Sequence, residues 1–308
     1  MTESLVYAFN HFADNFQGSG LREWMREHTE VPVLAVVLYL ALVLYVPDSF
    51  MAHRPAMNLR VWNILWNLFL TLFSMGGAYY CVPRLLEVTT APVIGKLLVE
   101  GNNNNNNTNN NNTNTTPPVM AGNLYNSACY WNRGMFFDGP VGFWVAAFVL
   151  SKIPEMMDTV FLVLQKKPVI FLHWYHHATV MLFCWHGYAY TISSGLWFAT
   201  MNYFVHSIMY FYYFVCACGF RKVIRPIAPL ITALQILQMV VGTLIVTYTY
   251  TVKNILGMKC DVNGSSLRLG LLMYVSYLIL FSQLFHRSYL SQAGKQASKL
   301  TNGAKKVK

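Results

Sequence analysis

The sequence predicts an all-α polytopic membrane protein with seven transmembrane helices. Composition is the first reason: of 308 residues, 55% are hydrophobic and only 11% charged, with 20 Phe, 19 Tyr and 8 Trp. Run length is the second. Apolar stretches near residues 32–50, 60–82, 141–163, 170–190, 196–218, 227–250 and 267–287 each approach the roughly 20 residues needed to cross a hydrocarbon core. The third is continuity. Inside lipid only helices or closed barrels satisfy the backbone, and unbroken apolar runs favour helices.

In chain order, residues 1–31 mix polar and aromatic side chains without the basic-then-apolar order of a cleavable signal. They read as a short lumenal segment with an interfacial helix, and the 32–50 span as an uncleaved insertion signal. The loop after the second span contains residues 102–116, almost pure Asn and Thr. Such a tract cannot bury a core and is expected to be a disordered insert. It carries glycosylation sequons at Asn106, Asn111 and Asn114, with a further one at Asn263. A tail over 291–308 ends Lys305-Lys306-Val307-Lys308. Lysines three and four places from the end resemble the dilysine retrieval signal of endoplasmic reticulum membrane proteins, and contact with anionic lipid is the alternative. The spans and their short loops, residues 32–290, then form one domain.

Basic residues set the orientation. With the N-terminus outside the cytosol, the cytosolic segments hold 13 Lys and Arg against 8 in the others. The N-terminus is therefore expected in the lumen and the C-terminus in the cytosol. Cys184, Cys216 and Cys218 fall within spans and read as packing residues. Cys129 and Cys260 fall in two lumenal loops, where an oxidising compartment allows them to pair, with Cys81 as a competing partner.

Four polar groups interrupt the apolar spans. Lys152, Glu155 and Asp158 follow at i+3 in the third, sharing a helix face despite Pro154; as a network they neutralise one another. His173, His176 and His177 stand at i, i+3 and i+4 in the fourth, so a helix puts all three imidazoles on one face. Asn202 and His206 stand at i and i+4 in the fifth, continued by Met209, Tyr210 and Tyr213. Thr232, Gln235 and Gln238 repeat at i+3 in the sixth, a spacing that also suits interhelical hydrogen bonding.

Ionisable groups at membrane depth usually face a bundle interior and carry function. Neutral imidazole is a nucleophile and general base near neutral pH, whereas no nucleophile elbow or reactive-cysteine motif is present. A membrane di-iron desaturase or hydroxylase also uses HxxHH spacing, but needs histidines in several boxes. Here His11, His28 and His53 are scattered, His186 and His286 sit at span ends, and no HxxxH pair exists outside the 173–177 box. A proton-coupled transporter would use buried His, Lys and Asp, yet no inverted repeat or broken-helix pair is visible. A seven-span receptor fits the topology but not polar faces in consecutive spans.

In this order the four groups resemble the motifs of the ELO family of very-long-chain fatty acid elongases, the 3-ketoacyl-CoA synthases of the endoplasmic reticulum. The matching residues are Lys152-xx-Glu155-xx-Asp158-Thr159, His173-xx-His176-His177, His206-xx-Met209-Tyr210-x-Tyr212-Tyr213 and Thr232-xx-Gln235-xx-Gln238. The likeness is continuous from about 151 to 240 and looser over the flanking spans. Phe171 to His177 and Trp197 to Tyr203 are most similar to the branch acting on saturated and monounsaturated chains of medium to long length. Residues 168–170 (Pro-Val-Ile) lack the Gln that polyunsaturated-chain elongases carry before the histidine box.

The resemblance implies a seven-helix barrel around an acyl tunnel, open to the cytosol and closed towards the lumen. It implies condensation of acyl-CoA with malonyl-CoA to 3-ketoacyl-CoA, carbon dioxide and CoA, with no redox cofactor and no metal. His176 would take the acyl group as an acyl-imidazole. His206 would assist acyl transfer or stabilise the malonyl-derived enolate, with His173 and His177 positioning both. Lys152, Glu155, Asp158, Asn202, Tyr210, Tyr213, Gln235 and Gln238 would form the polar substrate-facing shell. Lys166, Lys167, Arg221, Lys222 and Arg225 would attract CoA phosphates or serve as positive-inside anchors. Implied partners are membrane lipid and the ketoacyl-CoA reductase, dehydratase and enoyl-CoA reductase of the cycle, with room for a homo-oligomer; nucleic acid is not expected.

Overall fold

A computed structural model describes residues 2–90, 124–190 and 192–291. The Asn/Thr insert at 102–116, its three sequons, and Lys305 and Lys306 lie outside the described residues. The described chain is all-helical, with two isolated antiparallel bridges, Gln17 to Asp138 and Ile192 to Val262, and no strand. Helices run in the order α1 (Thr2–Asp14), α2 (Gly18–Glu27), α3 (Glu30–Leu44), α4 (Arg60–Thr90), α5 (Leu124–Cys129), α6 (Arg133–Phe136), α7 (Gly139–Ser151), α8 (Met157–Leu164) and α9 (Phe171–Ala189). They continue as α10 (Gly195–Val215), α11 (Arg221–Ile224), α12 (Ala228–Tyr250) and α13 (Gly264–Phe285).

Helix occupies all seven expected intervals, but not in seven equal rods. By length and hydropathy, three helical runs among the described residues suit a membrane crossing: Arg60–Thr90, Gly195–Ile255 and Gly264–Leu290. A fourth is added if α2 and α3, bent by 65° at their junction, count as one. Sequence features account for the difference. The third interval is broken at Pro154, which lacks an N–H and whose ring clashes with the preceding turn, so a 3₁₀ turn over Pro154–Met156 separates α7 from α8. The fourth interval carries the three histidines within its 19 helical residues. The fifth and sixth form one helical run folded at Gly219, whose φ of 108° favours glycine. There Arg60 caps the chain, donating from Nε to Ala217 O (3.2 Å) and from Nη2 to Cys218 O (3.0 Å).

Helices α10 and α4 pack closely because Gly77 leaves room for the Tyr203 ring; a Cβ there would lie 2.3 Å from Tyr203 Cζ. The Tyr203 hydroxyl reaches across to Trp144 O at 2.9 Å. One apolar core joins α2, α3, α4, α7, α9 and α10, and a second joins α9, α10, α12 and α13. The polar residues sit between them.

At one end the N-terminal helices are pinned to the bundle. Gly18 N donates to Asp138 Oδ1 (3.0 Å), Gly139 N to Phe16 O (2.8 Å) and Trp185 Nε1 to Met25 O (2.8 Å). At the same end a disulfide joins Cys129 to Cys260, 131 residues apart, with Cα atoms 4.4 Å from each other. Beside it Asp261 N donates to Cys129 O (2.7 Å), and Asp261 Oδ2 accepts from Trp131 N (3.2 Å). Asn263 caps α13 by accepting from Ser265 N at 3.0 Å.

Candidate active site

The histidine helix α9 starts after the extended Ile170, two residues beyond Pro168. One of its faces carries the three imidazoles as a contiguous group: the His173 and His177 rings are 4.6 Å apart, and those of His176 and His177 are 5.6 Å apart. Thr159 on α8 bonds His173 Nε2 through Oγ1 at 2.9 Å, and Tyr39 on α3 bonds the same hydroxyl at 2.8 Å. His177 is buried beside Tyr39, ring to ring at 6.2 Å. His176 packs on Tyr277 of α13 at 4.8 Å, and the Tyr277 hydroxyl lies 3.2 Å from the backbone oxygen of His176. The Nδ1 atom of His176 is buried with no hydrogen-bond partner among the described residues.

Lys152 and Glu155 are 2% and 4% exposed, a burial that charged side chains tolerate only when paired. Lys152 Nζ donates to both Glu155 oxygens (2.7 and 2.8 Å) and to Asn202 Oδ1 (3.2 Å). Ser151 Oγ donates to Glu155 Oε1 at 2.7 Å. Asn202 Nδ2 and His206 Nε2 are 3.1 Å apart. A continuous polar chain thus runs from α7 through the 3₁₀ turn to α10.

The expected three-membered Lys152, Glu155 and Asp158 network divides. Asp158 instead accepts from Trp66 Nε1 (2.7 Å) and from the Tyr210 hydroxyl (2.9 Å). The i+3 phase that would align all three holds only in an uninterrupted helix, and Pro154 interrupts it. Tyr210 is buried, whereas Tyr213, in the last turn of α10, is 45% exposed and packs edge-on against the Tyr210 ring at 6.3 Å. Gln238 lines the site cavity, while Gln235 donates to Met209 Sδ at 3.1 Å.

His176, Asn202 and Gln238 line one cavity, completed by aromatic and aliphatic side chains that include Phe183 and Tyr274. A second cavity shares Phe148, Phe183, Cys184 and Phe198 with the first. It extends to Trp131, Phe137 and Tyr188 at the disulfide end. Polar groups therefore gather in one of two adjoining, otherwise apolar cavities, the composition of a small-molecule site. Among the described residues, no group of three or more His, Cys, Asp or Glu is placed to hold a metal ion.

Three contributors had no distinguishing signal in the sequence. Tyr39, Trp66 and Tyr277 lie outside the four motifs, and each reaches a partner on a distant helix. A polar atom in an otherwise apolar span was the one available hint at Tyr39.

Residues 24–297 match the ELO: GNS1/SUR4 family. The chain belongs to the ELO family. Among curated relatives of this ELO chain, "Fatty acid elongase 3" of Trypanosoma cruzi (strain CL Brener) is 67% identical over 98% of both chains. "Fatty acid elongase 3" of Trypanosoma brucei brucei (strain 927/4 GUTat10.1) is 59% identical, covering 94% of this chain and 93% of its own. "Very long chain fatty acid elongase 4" of Trypanosoma cruzi (strain CL Brener) is 47% identical over 94% of both chains. The family match extends beyond the 151–240 core on which the motif resemblance rests, from the end of α2 through α13.

Proposed function

We propose that this ELO-family chain is the condensing enzyme of fatty acid elongation, joining a saturated or monounsaturated acyl-CoA to malonyl-CoA. One observation carries the reading: His176 lines a cavity that shares Phe148, Phe183, Cys184 and Phe198 with a second, apolar cavity reaching Trp131, Phe137 and Tyr188. A fatty acyl chain lying along these two cavities would have its thioester carbon at the imidazole.

The bonds balance as follows. An imidazole nitrogen of His176 attacks the acyl-CoA thioester; the C–S bond breaks, CoA leaves as the thiol after protonation, and an acyl-imidazole forms. Malonyl-CoA loses carbon dioxide, and the electron pair of the broken C–C bond becomes the enolate of acetyl-CoA. The enolate carbon attacks the acyl-imidazole carbonyl, forming the new C–C bond and expelling His176. His206 assists acyl transfer or stabilises the enolate oxygen. The residues Lys152, Glu155 and Asn202 orient it, Asp158 fixes Tyr210, and Thr159 and Tyr39 hold His173. No step uses a redox cofactor or a metal.

On this reading residues 32–290 form the elongase domain and the seven helical intervals cross the membrane around the two cavities. Basic counting favours a lumenal N-terminus and a cytosolic C-terminus, with Lys305 and Lys306 as an endoplasmic reticulum retrieval signal. Lys166, Lys167, Arg221, Lys222 and Arg225 then face the compartment that supplies CoA, and the product passes to a ketoacyl-CoA reductase.

The test is radiolabelled malonyl-CoA with purified protein and saturated acyl-CoAs of graded length, without NADPH, oxygen or iron. Labelled 3-ketoacyl-CoA is expected. The variant His176→Ala should retain its size-exclusion profile and helical circular dichroism while turnover falls below detection; retained turnover removes His176 from the nucleophile's role.

A further inference from the structure

The geometry points to an amide relay: Lys152, acting through Asn202, fixes the tautomer of His206, so that Nε2 holds the lone pair and Nδ1 carries the ring proton. Donor and acceptor rules fix each contact along this chain in turn. Lysine has three N–H donors and no acceptor. Lys152 directs two towards Glu155 and has Asn202 Oδ1 as its third partner. Glu155 is occupied as an acceptor by Lys152 and Ser151, which holds the ammonium in place.

The two ends of an amide are nearly alike in shape, and the neighbours decide which is which. A cation that only donates requires the oxygen end of Asn202. Reversing the amide would set an NH₂ group against the ammonium and leave donors unsatisfied in a buried site. With Oδ1 committed to Lys152, Nδ2 faces His206 Nε2 and can only donate. His206 Nε2 must therefore accept. A neutral imidazole has one accepting and one donating nitrogen, so the proton resides on Nδ1.

This assignment stands on contacts alone; its catalytic meaning rests on the condensing-enzyme reading. His206 then offers a substrate oxygen a hydrogen bond from Nδ1–H, while its Nε2 lone pair is occupied and unavailable as nucleophile or base. Between the two roles open to His206, enolate stabilisation is selected, and nucleophilic attack is left to His176. Lys152 and Asn202 are positioning residues, acting through His206.

The experiment is ¹⁵N NMR of the full-length protein in micelles with labelled histidine, the His206 resonances being those lost in His206→Gln. The wild type should show a protonated Nδ1 and an unprotonated Nε2. Asn202→Asp keeps the shape and the contact with Lys152 but presents only acceptors, so a proton should appear on Nε2. Its kcat should fall about 10²- to 10⁴-fold, in the range known for a wrong catalytic tautomer, with KM for acyl-CoA nearly unchanged. A wild-type spectrum with the proton on Nε2 or on both nitrogens overturns the relay, as does an Asn202→Asp protein with the wild-type tautomer. If Asn202→Asp does not fold, the wild-type spectrum decides alone. The spectrum needs no turnover, so failure of the condensation assay and failure of the relay are separate results.

Discussion

The hydroxyl of Tyr39 touches no substrate-facing atom, yet it completes the hydrogen bonding of Thr159, which holds His173. Replacing it as Tyr39→Phe leaves the ring packed and removes one hydrogen bond, about 0.5–1.5 kcal/mol. The expected outcome is a fall in kcat of about threefold to tenfold with little change in KM, read by steady-state condensation. An unchanged kcat would show that Thr159 alone orients His173. Residues such as His176, Lys152 and Asn202 were legible in the sequence because charge and imidazole are costly at membrane depth and helical spacing groups them. Tyr39, Trp66 and Tyr277 were not, since their partners lie 120, 92 and 101 residues away. Tyr213 is the intermediate case: its ring packs edge-on against Tyr210 at 6.3 Å, but the residue remains 45% exposed near the end of α10.

Among the elements, the break between α7 and α8 has the largest effect on the site. Pro154 ends a helix that composition alone would carry through, and the turn it forces sends Glu155 to Lys152 while Asp158 goes to Trp66 and Tyr210. Helical periodicity could not show this, because it assumes the helix it is measuring. In Pro154→Ala the chain can continue as α-helix, so thermal stability should be kept or raised. The same change should turn Asp158 towards the Lys152 face, away from Trp66 and Tyr210, and lower kcat about 10- to 10²-fold. Thermal melting beside turnover checks it; raised stability with full activity would show that the break is incidental to the site.

For the whole molecule, the all-α class and the position of each helical interval were legible from apolar run length. The contrast between one 61-residue run and two helices was not, because only Gly219 marks the fold-back and a single glycine is weak evidence on its own. Long-range closure was half legible. Two cysteines in loops assigned to one side allowed a pairing, and the structure joins them, but nothing local chose between Cys260 and Cys81 for Cys129. Removing the link as Cys129→Ser with Cys260→Ser should lower stability by about 2–4 kcal/mol. Chemical denaturation in micelles measures it, and an unchanged midpoint would mean that the hydrogen bonds around Asp261 suffice.

The wall at Trp131 and Phe137 comes from the segment between α5 and α7, outside the four motifs, while Tyr188 stands on the histidine helix α9 itself; Asp261 and the pinned α2 hold that end. On the condensing-enzyme reading, the imidazoles at one pole would set what is made and the aromatic wall at the other how much room it has. A change in that wall would then alter reach without disturbing reactivity.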